Sequence, residues 1–338
     1  RIAGVIAGDE VTVRAAAEIG RWLGFDYPSA EDAACQHIKS RMKDRLVERG
    51  VPTSAFRVVE TLDAARDAWR ALGGDCMIKM VDYAMSYGIA RAQTPECVEQ
   101  HWLEIERLRG QLDHALQTRA DVVVERFLEG DGYSVEGYEQ DGEIIILNIC
   151  EKVTHANFMV VGHFLPAVID EATRQHLENT ARACVRALGI RRGVFHAEIH
   201  IHDGEAFVIE CAARPPGQYS VGVMKRIYGF DLMRVAIALA CGLTISTAPR
   251  TPRAHAAILA LYTDRTGFIE TLAPVERLRA MPECHAVKCG VAVGDAVCRL
   301  ETFRDVLGLA LLEAPTPEAV RAAYWSARRA SWFVSPPP

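Results

Sequence analysis

The chain has 338 residues, of which 50% are hydrophobic and 24% charged, a globular composition that excludes disorder and leaves room for two or three domains. A net charge of −6 offers no basic field for nucleic acid or acidic membranes. No apolar run approaches the roughly 20 residues that a bilayer span needs, and no signal peptide is visible, so no membrane or nucleic-acid partner is expected.

In chain order, Ile2-Ala3-Gly4-Val5-Ile6-Ala7 reads as a strand already inside a fold, so a segment upstream of Arg1 is expected. An amphipathic helix is predicted from about Val11 to Leu23 and another from Ala30 to Arg49, ended by Gly50. After a linker at Val51-Pro52-Thr53 come a strand at residues 56–59, a helix at 61–72, a strand at 76–79 and a helix at 94–118. The apolar run from Val122 to Leu128 follows. Strands at Tyr133–Tyr138 and Ile144–Cys150 flank a turn at Asp141-Gly142, and helix 170–188, a hairpin at 194–211 and helix 229–241 come next. Thr247-Ala248-Pro249-Arg250-Thr251-Pro252 is a linker, beyond which residues 253–338 read as mostly β with one helix at Pro317–Ala327. Antiparallel hairpins mixed with long helices predict an α+β fold around a nucleotide cleft.

The hairpin carries the chemistry. Glu198 and Glu210 both sit in apolar, alternating runs that read as buried strands joined at Asp203-Gly204. A buried carboxylate is destabilising by several kcal/mol unless its charge is compensated, and two side by side raise each other's pKa. A hard divalent cation relieves both problems, and Arg214 nearby completes the ingredients of a metal–polyphosphate site. The competing reading is that one glutamate faces solvent. A flush two-residue turn would pair Glu198 with Ile209, on the opposite face from Glu210. Pairing the two acids therefore needs one extra residue, expected near His202–Glu205. His196, His200 and His202 fit strand alternation as well as a zinc cluster, and no fourth ligand is visible. Ten scattered cysteines without CxxC spacing read as reduced, packed thiols of a cytoplasmic protein.

From about Gly4 to Leu243 the chain resembles the ATP-grasp superfamily of carboxylate–amine ligases, and its C-terminal part resembles the L-amino-acid ligase and carnosine-synthase-like branch. Lys39 in His37-Ile38-Lys39-Ser40-Arg41-Met42, with Leu46 and Gly50-Val51-Pro52-Thr53, matches the pattern D-K-x-x-M-R-x-x-L-x-x-x-G-V-P-T; Lys79 matches the lysine of V-V-K-P. Glu125-Arg126-Phe127-Leu128 matches the adenine hinge E-x-F/Y-L, and Glu198, Glu210 and Arg214 match H-x-E and E-x-N-x-R. The resemblance implies a truncated pre-grasp domain (1–52), an ATP-grasp domain (53–246, with lobes at about 56–124 and 125–246) and a mostly-β C-terminal domain (247–338).

It further implies that Lys39 and Lys79 bind ATP phosphates, that the hinge and Glu125 bind adenine, that Glu198 and Glu210 hold Mg²⁺ or Mn²⁺, and that Arg214 is catalytic. Ser86 and Gly88 survive from the phosphate loop, and Asp131 or Glu129 stands where an acid meets ribose. Met80 replaces the usual proline and Ala212 the usual asparagine, which puts a second metal in doubt. The reaction implied joins a small carboxylate to an amine through an acyl phosphate. Lys152, His155 and His163, with Gly217 and Gln218, are expected at the substrate, although a structural loop explains each segment nearly as well. A carboxylase or purine-biosynthesis ligase would share the ATP motifs, and a degenerate nucleotide-binding regulator is the reading from another class. A homodimer is compatible with all of these.

Overall fold

The computed structural model describes residues 2–83, 88–111, 121–217, 219–246, 251–328 and 334–335. The first half contains α1 (Val13–Trp22), α2 (Ala30–Cys35), α3 (Lys39–Glu48), β1 (Phe56–Val59), α4 (Leu62–Ala71), β2 (Cys76–Met80), β3 (Ala90–Ala92), α5 (Pro95–Gln111) and β4 (Val122–Arg126). Next come β5 (Asp131–Gln140), β6 (Glu143–Thr154), β7 (Val160–Leu165), α6 (Glu171–Ala187), β8 (Gly193–His202), β9 (Glu205–Ala212), α7 (Ser220–Tyr228) and α8 (Leu232–Ala240). The last part holds β10 (His255–Leu261), β11 (Gly267–Ile269), α9 (Ala273–Arg279), β12 (Cys284–Cys289), β13 (Ala296–Val297), β14 (Gly308–Ala314), α10 (Pro317–Arg328) and β15 (Val334–Ser335). Among the described residues no helix is long and apolar enough to cross a membrane.

The chain divides into two compact units: Arg1–Leu147 with Ile169–Pro216 and Leu232–Ala248, and Asn148–Val168 with Gly217–Asp231 and Pro249–Pro338. In the first unit, β1, β4, β2 and β3 form an antiparallel sheet in that order. Alternation sorts its faces. Cys76, Ile78, Val122 and Val124 pack with Ala65, Ala68, Val98, Trp102 and Ile105 of α4 and α5. Lys79 and Glu125 therefore share the other face, where Val123 meets Ala34 and Ile38. A second antiparallel ladder joins β5, β8 and β9, with α6 packed on β8 and β9 and capped by Asp170, which accepts from Thr173 N at 2.8 Å.

Several sequence expectations are corrected here. Residues 2–7 form no strand; the segment runs against α8, so close that a Cβ on Gly4 would lie 2.2 Å from the Ala240 carbonyl oxygen. The helix predicted over 30–49 is two helices, because Ile38 is extended (φ −87°, ψ 111°) and Lys39 N turns to Val81 O at 2.7 Å. β7, α7 and α9 were not anticipated. The hairpin irregularity exists but is displaced. Asp203 and Gly204, both at positive φ, make a tight two-residue turn that pairs His202 with Glu205. The register shifts further along, where Ile199 opposes Val208 but Glu198 opposes Glu210, leaving Ile209 as the bulged residue.

In the second unit β12, β14, β10, β7 and the later part of β6 are neighbours in an antiparallel sheet, covered by α10. Tyr324 of α10 is wholly buried against Phe164, its ring directly over Gly162, and its hydroxyl donates to Val161 O at 3.3 Å. A Cβ at Gly162 would lie 2.1 Å from that hydroxyl oxygen. Gly162→Ala should therefore cost about 1–3 kcal/mol, read as a lower urea midpoint with an unchanged m-value, whereas an unchanged midpoint would mean that the ring yields freely.

Candidate active site

Three strands of the first unit build a polar grid. Register places Ser134 (β5), Glu198 (β8) and Glu210 (β9) in one row, and Glu136, His196 and Ala212 in the next. Opposed residues on neighbouring strands share a face, so the bulge at Ile209 is what turns Glu210 to the side of Glu198. Without it Glu210 would follow Val208, which opposes Ile199 on the other face and is fully buried. The outer edge of β9 is pinned beside the bulge, where Val208 N donates to Pro52 O at 2.9 Å and Thr53 Oγ1 donates to Val208 O at 2.8 Å.

Lys39, at the first turn of α3, serves this grid. Its Nζ lies 2.8 Å from Glu210 Oε1 and 4.0 Å from Glu10 Oε1, while its hydrogen bond goes to Tyr83 O at 2.6 Å. Glu10 Oε2 in turn accepts from Arg214 Nη2 at 3.1 Å, and Arg214 Nη1 donates to Pro215 O at 3.0 Å. Burial, then the charge of Glu210, pushes the Glu10 carboxyl up to about 8. Burial also disfavours charge on Glu210, but Lys39 and a hydrogen bond from Glu10 outweigh it and bring Glu210 down to about 2. Within this pair burial thus favours the neutral form at Glu10, and Lys39 favours the anion at Glu210. Lys39 is held above its ordinary value, its burial being outweighed by Glu210 and Glu10.

Behind the grid, His196 Nδ1 lies 3.0 Å from Glu136 Oε1 and Nε2 lies 3.3 Å from Glu198 Oε1; Ser134 Oγ donates to Glu136 Oε1 at 2.6 Å. Burial opposes charge on His196, but the hydrogen bonds to Glu136 and Glu198 prevail and raise its pKa. Glu210 Oε1 is buried without an aligned hydrogen-bond donor, although Lys39 is close. Among the described residues no three His, Cys, Asp or Glu side chains converge on one metal-sized point. Glu198 and Glu210, hard carboxylate oxygens in one register row, are donors of the kind Mg²⁺ or Mn²⁺ takes together with phosphate oxygens and water.

A second cluster lies on the β2–β4 sheet. Glu125 takes Lys79 on Oε1, and on Oε2 it takes Lys43 Nζ at 2.5 Å and Ser54 Oγ at 2.9 Å. Lys43 also reaches Thr53 Oγ1 at 2.9 Å, which ties this cluster to the pinned edge of β9. Burial alone would raise Glu125, but the two ammoniums hold it well below the ordinary carboxylate range. One carboxylate cannot neutralise two ammoniums, so burial leaves Lys43 below its ordinary value despite Glu125.

In the hinge, Arg126 N donates to Ala55 O at 2.8 Å and Phe127 N to Asp75 O at 3.0 Å, and the Arg91 guanidinium lies over the Phe127 ring at 3.7 Å. Leu128 is buried and Asp131 is exposed. Gly88, at φ 66°, faces Met80 and Leu108; Ser86 and Gln218 lie outside the described residues. In the second unit, Lys152 and His163 are register partners, His155 contacts Asn157 (2.8 Å) and Asp264 (3.2 Å), and the Gly217 carbonyl accepts from Ser220 N at 3.0 Å. Glu10, Lys43 and Glu136 were missed from sequence. Lys43 follows Lys39 by one helical turn, a spacing that could have revealed it; Glu10 carries no local signal.

Replacing Glu125 would leave two buried ammoniums without their anion. Glu125→Gln should cost about 3–5 kcal/mol at pH 7. In the wild type the contribution of the depressed Glu125 is present at neutral pH and lost as pH falls below the ordinary value of 4.5 towards its own lower one. Urea titrations at pH 7 and pH 3 should therefore give a gap between wild type and Glu125→Gln that narrows in acid, and a gap of constant size would contradict the ion cluster.

Residues 72–222 match the model of the ATP-grasp domain and residues 259–334 that of the L-amino acid ligase C-terminal domain 2. The chain is 24% identical over 252 residues to alanine–anticapsin ligase of Bacillus subtilis, covering 70% of this chain and 53% of that protein. It is 29% identical over 178 residues to formate-dependent phosphoribosylglycinamide formyltransferase of Wolinella succinogenes, covering 50% and 41% respectively. The chain thus spans about half the length of these curated relatives. The crystal structure of an L-amino acid ligase from Bacillus licheniformis superposes with a TM-score of 0.87 at 21% identity, over 100% of this chain and 82% of that one. The chain thus carries an ATP-grasp domain at residues 72–222 and an L-amino acid ligase C-terminal domain at residues 259–334.

Proposed function

We propose that this chain is the ATP-grasp part of an ATP-dependent ligase that joins an amino acid, through its carboxylate, to an amine. The observation that carries the proposal is the bulge-set pairing of Glu198 with Glu210 beside Lys39 and Arg214. The family matches supply ATP use, and the C-terminal domain match favours an amino acid over the purine precursors suggested by the formyltransferase relative.

The residues take the following roles. Lys39 and Lys79 carry the positive charge for the polyphosphate, with Lys79 positioned by Glu125, whose own oxygens are occupied by Lys43, Lys79 and Ser54. Glu125 is thereby an anchor for the lysines more than an acceptor for adenine, and the hinge donor falls to Leu128, the next amide after two that are engaged. Glu198 and Glu210 would hold Mg²⁺ or Mn²⁺, which when bound supplies charge neutralisation at the phosphates. An oxygen of the substrate carboxylate attacks the γ-phosphorus and ADP leaves. The amine then attacks the acyl carbon, inorganic phosphate leaves with the C–O electrons, and the nitrogen loses its proton. Arg214 screens the two anions as they approach, its guanidinium lying against the Glu10 carboxyl in the free protein. Ten free thiols suit a reducing, cytoplasmic setting.

Metal-dependent ADP release over a panel of amino acids tests the reading. One or more pairs should support turnover, Glu210→Gln should abolish it, and Arg214→Lys should lower kcat by about 10²–10³ with ATP affinity little changed, as for a lost transition-state donor. Turnover confined to formate or bicarbonate, or full activity of Arg214→Lys, would overturn it.

A further inference from the structure

Two carboxylates are a sparse protein ligand set, so the direction of each matters more than in a site with three or four. Glu210 is fixed from one side by Lys39. Glu198 is the more exposed of the two, with a side chain 30% accessible against 20% for Glu210. What touches it from within is His196, two residues earlier on the same strand and so on the same face.

The imidazole is itself held. Its other nitrogen meets Glu136, which is 1% exposed and accepts from Ser134 as well. Glu136 and His196 are register partners, so the strand ladder sets their separation. Ala212 completes that row on β9 with a methyl group and no oxygen, so β9 offers the imidazole no competing acceptor side chain there. Serine, glutamate, imidazole and glutamate thus form one chain of hydrogen bonds that ends on Glu198.

We infer that His196, braced by Glu136 and Ser134, is a positioning residue that fixes the Glu198 carboxylate beside Glu210 for a divalent cation and thereby sets the affinity of the site for that cation. The inference rests on the proposed reading of Glu198 and Glu210 as cation ligands. Partners that orient a metal ligand through hydrogen bonds typically matter by about 10- to 100-fold in metal affinity.

The test uses the full chain with Mn²⁺ and a non-hydrolysable ATP analogue, with bound Mn²⁺ read by electron paramagnetic resonance. His196→Ala should weaken Mn²⁺ by about 10- to 100-fold, while binding of the analogue without metal and the far-UV spectrum stay as in the wild type. His196→Gln, whose amide can donate from near the Nε2 position, should recover most of the loss. Glu136→Gln, which keeps the shape but loses the anion bracing the ring, should fall between. Where His196→Ala does not fold, the two glutamine variants decide. Wild-type Mn²⁺ affinity in the folded His196 and Glu136 variants, with Glu210→Gln losing the ion, would overturn the brace alone. Wild-type Mn²⁺ affinity in Glu210→Gln would instead overturn the cation reading and this inference with it.

Discussion

Two carboxylates set face to face on adjacent strands repel, and the first unit is organised around making that arrangement tolerable. A flush hairpin would have avoided it by sending Glu198 and Glu210 to opposite faces. The chain instead spends a residue, Ile209, on a bulge that brings them together. Bulged edges are weak points of a sheet, and here Pro52 and Thr53 close the edge at Val208, next to the irregularity. Charge is balanced locally as well. Lys39 lies against Glu210, and the third acid of the cluster, Glu10, whose neutral form burial favours, leans on Arg214.

Helix α3 links the two halves of the site. Lys39 and Lys43 are one turn apart, so they lie on one face and reach different carboxylates, Glu210 on β9 and Glu125 on β4. The break before the helix makes this possible. Because Ile38 is extended, α3 starts afresh at Lys39 and its first amide is satisfied by Val81, just past β2. Lys43 then connects Glu125 with Thr53, and through Thr53 with the strand that carries Glu210. A change at Glu125 would be transmitted to β9 by this chain of polar contacts as well as by the lost charge.

Much of this was legible in the sequence, for identifiable reasons. The acids stood out because carboxylates in apolar alternating runs need compensation, and Lys79 because it matches the strand lysine of the family pattern. The need for an extra residue followed from strand parity alone. Its location did not, since parity is restored equally by a longer turn or by a bulge. The choice fell to Asp203-Gly204, which accepts positive φ at both turn positions and so closes a tight turn. Residues 2–7 looked like a strand because they are apolar, but a strand needs a partner and this segment found α8 instead. Glu10 was invisible because its role is made by contacts with residues distant in sequence, Arg214 among them 204 positions away. His196 was noticed in the sequence as one of three alternating histidines without a fourth zinc ligand, but its partners were not, because cross-strand register is what surrounds it with carboxylates.

The account stands on a single geometric claim, that Glu198 and Glu210 hold one cation between them. Crystals grown with Mn²⁺ and a non-hydrolysable ATP analogue, with anomalous data collected at the manganese edge, test it directly. The account predicts an anomalous peak at about 2.0–2.4 Å from an oxygen of each carboxylate, bridged to the polyphosphate. Manganese bound to the nucleotide with either carboxylate still turned away would contradict it.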